Sequence, residues 1–190
     1  MNAVRDAVQL GLDLAEALSA EGVSYALGGA LAYGLFGVPR GTNDVAVNVF
    51  VTPAGLAPVF RALAAIGAEV DPNRAERDAR AEGAFAAHAD GMRIDVFVPS
   101  IPFAWEAEGL RVSQNVDGRR AYFLSAEALA VFKLLFFRSK DLVDLEHLVA
   151  VQGDRLDRGF VRARLVDMMG ADDERVVAWD RIVSRFAARA

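Results

Sequence analysis

An α+β fold, with a mixed sheet flanked by helices and followed by a helical bundle, is predicted by two patterns in the sequence. Up to about residue 124, segments with the alternation typical of strands occur between segments with helical spacing of apolar residues. From Ser125 onward the spacing is helical throughout. This change predicts an α+β core of residues 1–124 and a helical subdomain of residues 125–190 that packs on it.

The composition of the chain limits what it can be. Of 190 residues, 54% are hydrophobic and 25% charged, which is enough apolar surface for a folded core. The absence of cysteine excludes disulfides, cysteine ligands of zinc and thiol nucleophiles. A net charge of -5 disfavours broad nonspecific nucleic-acid binding, which needs many cations against phosphates. We find no targeting segment or membrane span and expect a cytoplasmic protein.

The N-terminal elements are predicted in the order helix, strand, glycine turn, helix. Apolar residues at helical spacing over residues 3–20 predict an amphipathic helix. Residues 24–27 predict a short strand that ends at Gly28 and Gly29, and residues 30–36 predict a second helix. A turn of two glycines therefore joins this strand to a helix.

The strand predicted over residues 44–51 has strict alternation. Its valines share one face, which we expect in the core: Val45, Val47, Val49 and Val51. Asp44, Ala46 and Asn48 share the opposite face. One polar face of a buried strand therefore carries a carboxylate.

The later elements are predicted from turn residues and spacing. A helix over residues 54–66 is followed by a polar, arginine-rich connection over residues 71–83. Asp-Gly pairs at 90–91 and 117–118 predict hairpin turns. The turns join strands 84–89 with 92–98 and 110–116 with 120–124. The C-terminal helices are predicted over residues 126–137, 140–151, 158–169 and 174–188.

Two features of the predicted sheet suggest chemistry. The Gly28-Gly29 turn at the start of a helix exposes backbone N–H groups, and the helix dipole there favours an anion such as phosphate. Asp44 and Asp95 each lie on the polar face of a valine-rich strand, so a shared sheet could bring their carboxylates together. Carboxylate oxygens beside a phosphate suit Mg²⁺. The residues therefore predict a site for magnesium and phosphate.

With these residues, the segment Arg40-x-Thr42-x-Asp44 and the helical segment from Lys133 to Asp144 resemble the nucleotidyltransferases of the DNA polymerase beta-like superfamily. The resemblance extends over roughly residues 23–148. The sequence most resembles the bacterial branch that contains AbiEii-type and other toxin–antitoxin (MNT-like) nucleotidyltransferases, together with small antibiotic nucleotidyltransferases. This resemblance implies a nucleotidyltransferase fold with residues 1–124 as the catalytic core.

The resemblance also implies the reaction and its residues. A nucleoside monophosphate would pass from a nucleoside triphosphate to an acceptor hydroxyl, assisted by two Mg²⁺ ions. Asp44 and Asp95 would hold the metals, and Asp95 would help to deprotonate the acceptor. The residues implied in nucleotide binding are Gly28, Gly29, Arg40, Thr42, Lys133, Arg138 and Lys140. Residues implied in support of the pocket are Asn48, Asp141 and Asp144.

Other interpretations of the helical residues stay open at this point. Lys133 could be a residue of the helix surface rather than a ligand of the triphosphate. Asp141 and Asp144 share a helix face that could be solvated or salt-bridged, with Asp144 paired to Lys140.

Ala46 departs from the family pattern, which has an acid at this position. Alanine cannot bind a metal ion, so we expect two-metal occupancy to be impaired in this chain. Because Asp44 and the alternation of the valines are intact, we interpret Ala46 as a deliberate inactivating substitution in an otherwise active enzyme. The alternative is a natural pseudoenzyme.

The acceptor is left open by the sequence. In the family it can be tRNA, a protein or a small molecule, and a toxin-like member would have a cognate antitoxin as partner. The alternatives to a toxin-like enzyme are a small aminoglycoside or lincosamide nucleotidyltransferase, and a nucleotide-binding or interaction module without catalytic activity.

Overall fold

A mixed six-stranded sheet confirms the predicted fold class. The structure is a computed structural model that describes residues 5–187. Its strands are β1 (Tyr25–Leu27), β2 (Asp44–Val49), β3 (Ala84–Ala89), β4 (Met92–Phe97), β5 (Val112–Val116) and β6 (Arg119–Phe123). They lie in the order β3-β4-β2-β1-β6-β5. Strand β2 is parallel to β4 and antiparallel to β1, which is parallel to β6.

The helices agree with most of the predicted segments. They are α1 (Ala7–Ala20), α2 (Gly29–Phe36), α3 (Ala57–Ala65), α4 (Pro72–Glu82), α5 (Pro102–Leu110), α6 (Ala126–Phe136), α7 (Ser139–Gln152), α8 (Arg158–Met169) and α9 (Glu174–Ala187). Short 3-10 turns occur at Pro53–Gly55 and Gly153–Arg155. The first positions of the predicted N-terminal helix, 3 and 4, and the last of the C-terminal helix, 188, lie outside the described residues. No helix in the described part of the chain is both long and apolar enough to span a bilayer.

The chain forms two compact units. The first, called here the sheet unit, comprises residues up to Leu31 and residues Gly41–Leu124. The second, the helical unit, comprises Ala32–Arg40 together with the residues from Ser125 onward. The segment 32–40, which the sequence places in the first domain, therefore belongs to the helical unit.

The core of the sheet unit lies on the valine face of β2. Val45, Val47 and Val49 are at most 1% exposed, and α1 packs against β1, β2 and β6. Burial of these apolar side chains stabilises the sheet unit. The opposite face of β2, with Asp44, Ala46 and Asn48, stays partly or fully exposed, as its alternation predicts.

The helical unit has a core of its own. Helix α6 packs against α7, α8 and α9. Trp179 in α9 is 1% exposed and donates a hydrogen bond from Nε1 to the carbonyl oxygen of Arg158. The apolar residues buried with it include Leu129, Leu134, Leu145, Leu148, Val161 and Leu165.

The predicted connection over residues 71–83 is wrong, because α4 occupies it. The Asp71 carboxylate caps the helix by accepting from the N–H of Arg74, and Pro72 fills the first turn. Gly83 ends it in the left-handed conformation with φ 70°. Only the small residues Ala75 and Ala79 are buried in α4, so its apolar stripe is too weak to show in the sequence.

Candidate functional site

The parallel pairing of β2 with β4 brings the predicted carboxylates onto one face of the sheet. In this register Ala46 lies directly opposite Asp95, and Asp44 lies opposite Arg93. Asp44 and Ala46 are two residues apart and share a face, so Asp44 and Asp95 are diagonal neighbours on adjacent strands. Adjacent strands are about 4.8 Å apart. The face therefore presents two aspartates with an alanine between them.

The glycine turn approaches this face closely. The N–H of Gly28 donates to the carbonyl oxygen of Ala46 at 2.8 Å. Gly29 has φ +53°, and a Cβ atom added to it would lie 2.9 Å from the Cβ of Ala46. A Cβ on Gly28 would lie 3.0 Å from Nδ2 of Asn48. Gly29 therefore requires glycine, whereas a side chain at position 28 would need the Asn48 amide to shift. The side chain of residue 46 points at the turn predicted to bind phosphate.

The two aspartates already have partners in the sheet unit. The hydroxyl of Thr42 donates a hydrogen bond to Oδ1 of Asp44, and Asp44 is exposed. The carboxylate of Asp95 accepts from Nε of Arg93 at 2.6 Å. Its side chain is 27% exposed. Thr42 therefore orients Asp44, and Arg93 neutralises Asp95.

Arg93 also lies on this face, although the strand patterns did not predict it as a site residue. Its signal in the sequence is its position two residues before Asp95, which puts both side chains on the polar face of one strand. A cation on the same face as a predicted metal ligand is a sequence pattern that could have identified it.

A second cluster, in the helical unit, contains the other predicted residues. Lys133 is 5% exposed, and its Nζ donates to Oδ2 of Asp144 at 2.6 Å. It lies 3.5 Å from Oδ1 of Asp141 and 5.1 Å from the centre of the Tyr33 ring. Asp141 is 1% and Asp144 5% exposed. The alternatives of a surface lysine and of a solvated aspartate face are therefore wrong.

Arginines complete this buried network. Arg138 donates to Asp141 through two nitrogens, at 2.6 and 3.2 Å. Arg40 donates to Asp144 at 3.4 Å, so Asp144 pairs with Lys133 and Arg40 rather than with Lys140. Lys140 itself is exposed in the first turn of α7. The network ties the segment 32–40 to α6 and α7.

Burial and charge shift two acidities in this network. Burial alone would raise the pKa of Asp141, but the hydrogen bonds from Arg138 and the charge of Lys133 outweigh it and lower the pKa. Burial raises the pKa of the Tyr33 phenol, whose oxygen lies 3.4 Å from Nδ1 of His147. Asp141 is therefore held as an anion at neutral pH.

Comparison with known proteins identifies the fold. No protein-family model and no curated protein matches the sequence. The solution structure of the antibiotic-resistance factor ANT(2'')-Ia is similar, with a TM-score of 0.56 and 15% identity over 97% of this chain and 96% of that chain. The chain has a nucleotidyltransferase fold.

Further structures agree with the nucleotidyltransferase fold. A crystal structure of ANT(2'')-Ia in complex with adenylyl-2''-tobramycin has a TM-score of 0.56 and 14% identity, over 94% of this chain and 99% of that one. An antigenic nucleotidyltransferase-like protein from Paracoccidioides brasiliensis has a TM-score of 0.50 and 15% identity, over 93% and 95% of the chains. At these identities the likeness establishes the fold, and the function is argued from the residues.

A pair of Mg²⁺ ions does not fit the residues present on this face of the nucleotidyltransferase fold. Two metal ions need several shared oxygen ligands. Asp44 and Asp95 are separated by Ala46, and Asp95 is bound to Arg93. Between residues 5 and 187 the structure shows no group of three or more metal-binding side chains.

Proposed function

We propose that the activity of this protein is Mg²⁺-dependent transfer of a nucleoside monophosphate from a nucleoside triphosphate to an acceptor hydroxyl, and that Ala46 impairs it in this chain. The observation that carries the proposal is the register of Ala46 opposite Asp95, with Asp44 two residues earlier on the same face. An acid at position 46 would give this face three adjacent carboxylates. It would also point at the Gly28-Gly29 turn.

The reaction would place each group of this face in a defined role. The oxygen of an acceptor hydroxyl would attack the α-phosphorus, and its proton would pass to the carboxylate of Asp95. The bond between the α-phosphorus and the oxygen that bridges to the β-phosphate would break, and pyrophosphate would leave. With an acid at position 46, that residue and the carboxylates of Asp44 and Asp95 would hold Mg²⁺, which would supply positive charge against the triphosphate. Thr42 hydrogen-bonds to the Asp44 carboxylate, and the triphosphate would lie at the N-terminal end of α2, which begins at Gly29 and favours an anion.

The experiment compares this chain with Ala46→Asp, using each of the four nucleoside triphosphates labelled at the α-phosphate, Mg²⁺ and mixed acceptors. We expect Ala46→Asp to transfer label at least about 100-fold faster than the present chain, since oxygen ligands of this kind stabilise developing charge. Ala46→Asn is the matched control, because it has the shape of aspartate without its charge. It should stay as inactive as the present chain.

Failure of the restored variant would identify the alternative of a module without catalytic activity. If Ala46→Asp is folded but transfers no label to any acceptor, while calorimetry shows that it binds nucleoside triphosphate, the protein is a nucleotide-binding module. If it neither binds nor transfers, the site proposal itself is wrong.

A second candidate function, transfer to an antibiotic hydroxyl, is supported by the likeness to ANT(2'')-Ia over nearly the whole chain. Parallel reactions of Ala46→Asp with tobramycin, total tRNA and a protein extract distinguish the acceptors by where the label appears. Label on tobramycin supports an antibiotic nucleotidyltransferase. Label on tRNA or protein, with growth inhibition by Ala46→Asp, supports a toxin that a cognate antitoxin would restrain.

A further inference from the structure

The two edge strands of the sheet differ in how they are protected. At one edge, β3 is paired on its outer side at one position, because His88 exchanges two backbone hydrogen bonds with Glu69, at 2.8 and 3.0 Å. At the other edge, β5 has three consecutive exposed residues, Ser113, Gln114 and Asn115. Among residues 5–187 the structure shows no backbone partner on the outer side of β5.

The sequence of β5 also lacks the usual protection of an edge. Natural edge strands avoid pairing with other chains by carrying charged residues, proline or bulges. Residues 112–116 read Val-Ser-Gln-Asn-Val, without a charge or a proline. Its register with β6 is continuous from Val112 to Val116, without a bulge. This edge is therefore competent to pair with another strand.

The hairpin geometry decides which backbone groups face outward. Asp117 and Gly118 form a two-residue turn with φ 51° and 78°, and Val116 lies opposite Arg119. In an antiparallel pair, residues alternate between those that exchange hydrogen bonds with the partner and those whose N–H and C=O point away. Val116, Gln114 and Val112 bond to β6, and so Ser113 and Asn115 direct their backbone groups outward.

The occupant that fits this edge is β5 of a second copy, because the strand is complementary to itself. In antiparallel pairing about Gln114, Ser113 lies opposite Asn115 of the other copy, and these are the two residues with outward backbone groups. Val112 lies opposite Val116, and both are only partly buried in one copy. Gln114 lies opposite itself, and no like charges meet.

We propose that β5 is a dimerisation strand, through which two copies pair antiparallel about Gln114 to join their sheets. The interface is isologous, as in the commonest kind of symmetric dimer. It uses backbone hydrogen bonds of Ser113 and Asn115 and covers the valines on either side of Gln114. The proposal does not depend on nucleotide transfer or on residue 46.

Introducing a charge at position 114, which lies on the symmetry axis, tests the pairing. We expect the present chain to show twice its mass of 20.4 kDa at high concentration in analytical ultracentrifugation. Gln114→Lys places a lysine opposite its own copy and Gln114→Glu does the same with a glutamate, so each should weaken dimerisation at least about tenfold. An equimolar mixture of the two variants should recover the dimer. Asn73→Lys, at an exposed position of α4, is the control that changes charge alone and should keep the dimer.

Amide hydrogen exchange provides the second readout. As protein concentration rises, the amides of Ser113 and Asn115 should become protected, and in Gln114→Lys they should not. The proposal is overturned if the chain is monomeric at every concentration. It is also overturned if a dimer persists undiminished in both charged variants, or if mixing them restores nothing.

Discussion

Two pairs of aspartates in this molecule have cationic or hydroxyl partners, but one pair lies at the surface and the other is buried. On the polar face of the sheet unit, Asp44 is exposed and Asp95 is partly exposed, bound to Thr42 and Arg93. In the helical unit, Asp141 and Asp144 are buried around Lys133. This difference in exposure implies a role in binding for the sheet-face aspartates and a role in stability for the buried ones. Only exposed carboxylates can exchange their partners for a ligand at low cost.

The physical reason lies in desolvation. A charge taken out of water costs several kcal/mol unless a partner of opposite sign is held at hydrogen-bond distance. An exposed ion pair contributes only about 0–1 kcal/mol to the free energy of unfolding, because water screens the attraction between the two charges. The buried network should therefore dominate stability, and the sheet face should be free to serve binding.

Replacing Lys133 has the largest expected effect. Lys133→Met leaves the buried carboxylate of Asp144 without its 2.6 Å donor and should lower the free energy of unfolding by about 3–5 kcal/mol. Urea denaturation followed by circular dichroism measures the loss. Lys140→Met is the matched control, since Lys140 is exposed, and it should change stability by less than about 0.5 kcal/mol.

A double variant separates the unpaired charge from lost packing. Lys133→Met combined with Asp144→Leu removes both charges and should be more stable than Lys133→Met alone, since an apolar pair can replace a buried ion pair. A double variant as unstable as the sum of its single variants would show that the two residues do not act as a pair.

The pH dependence of stability should report on Asp141. Its pKa is lower in the folded protein than in the unfolded chain, so its contribution is complete above the unfolded pKa of about 3.9 and is lost as the pH falls through the lower, folded pKa. Asp141→Asn should cost about 1–3 kcal/mol at pH 7. The difference from the unsubstituted chain should shrink below about pH 4, which urea midpoints across this range would show. A difference independent of pH would contradict the charged state of Asp141.

The parts of the fold that the sequence predicts are those with local causes. The alternation of β2 predicts its buried valine face, and the Asp-Gly pairs predict both hairpins because their turn requires positive φ at two positions. Helix α4 is missed, because its buried face consists of two alanines and its capping residues resemble those of a loop.

In the candidate site too, local sequence patterns predict some features, and others depend on contacts between distant segments. Asp44 and Asp95 are recognisable from strand patterns, but the register that sets Asp95 opposite Ala46 depends on pairing between residues that lie 49 positions apart in the sequence. The partners of Lys133 depend on the folding of segment 32–40 against α6 and α7, since Arg40 and Tyr33 come from that segment. A helical pattern alone shows which residues share a face and not whether that face is buried.

The smallest expected effect on stability is on the sheet face. Asp95→Asn removes a salt bridge whose arginine is 60% exposed, and it should change the free energy of unfolding by about 0–1 kcal/mol. Asp44→Asn should be equally mild, because Asp44 is exposed. In the Ala46→Asp background, however, each should abolish the transfer of labelled nucleotide. A loss of stability in Asp95→Asn as large as that in Lys133→Met would mean that Asp95 and Arg93 hold the sheet together, and the contrast between an available face and a structural network would then be wrong.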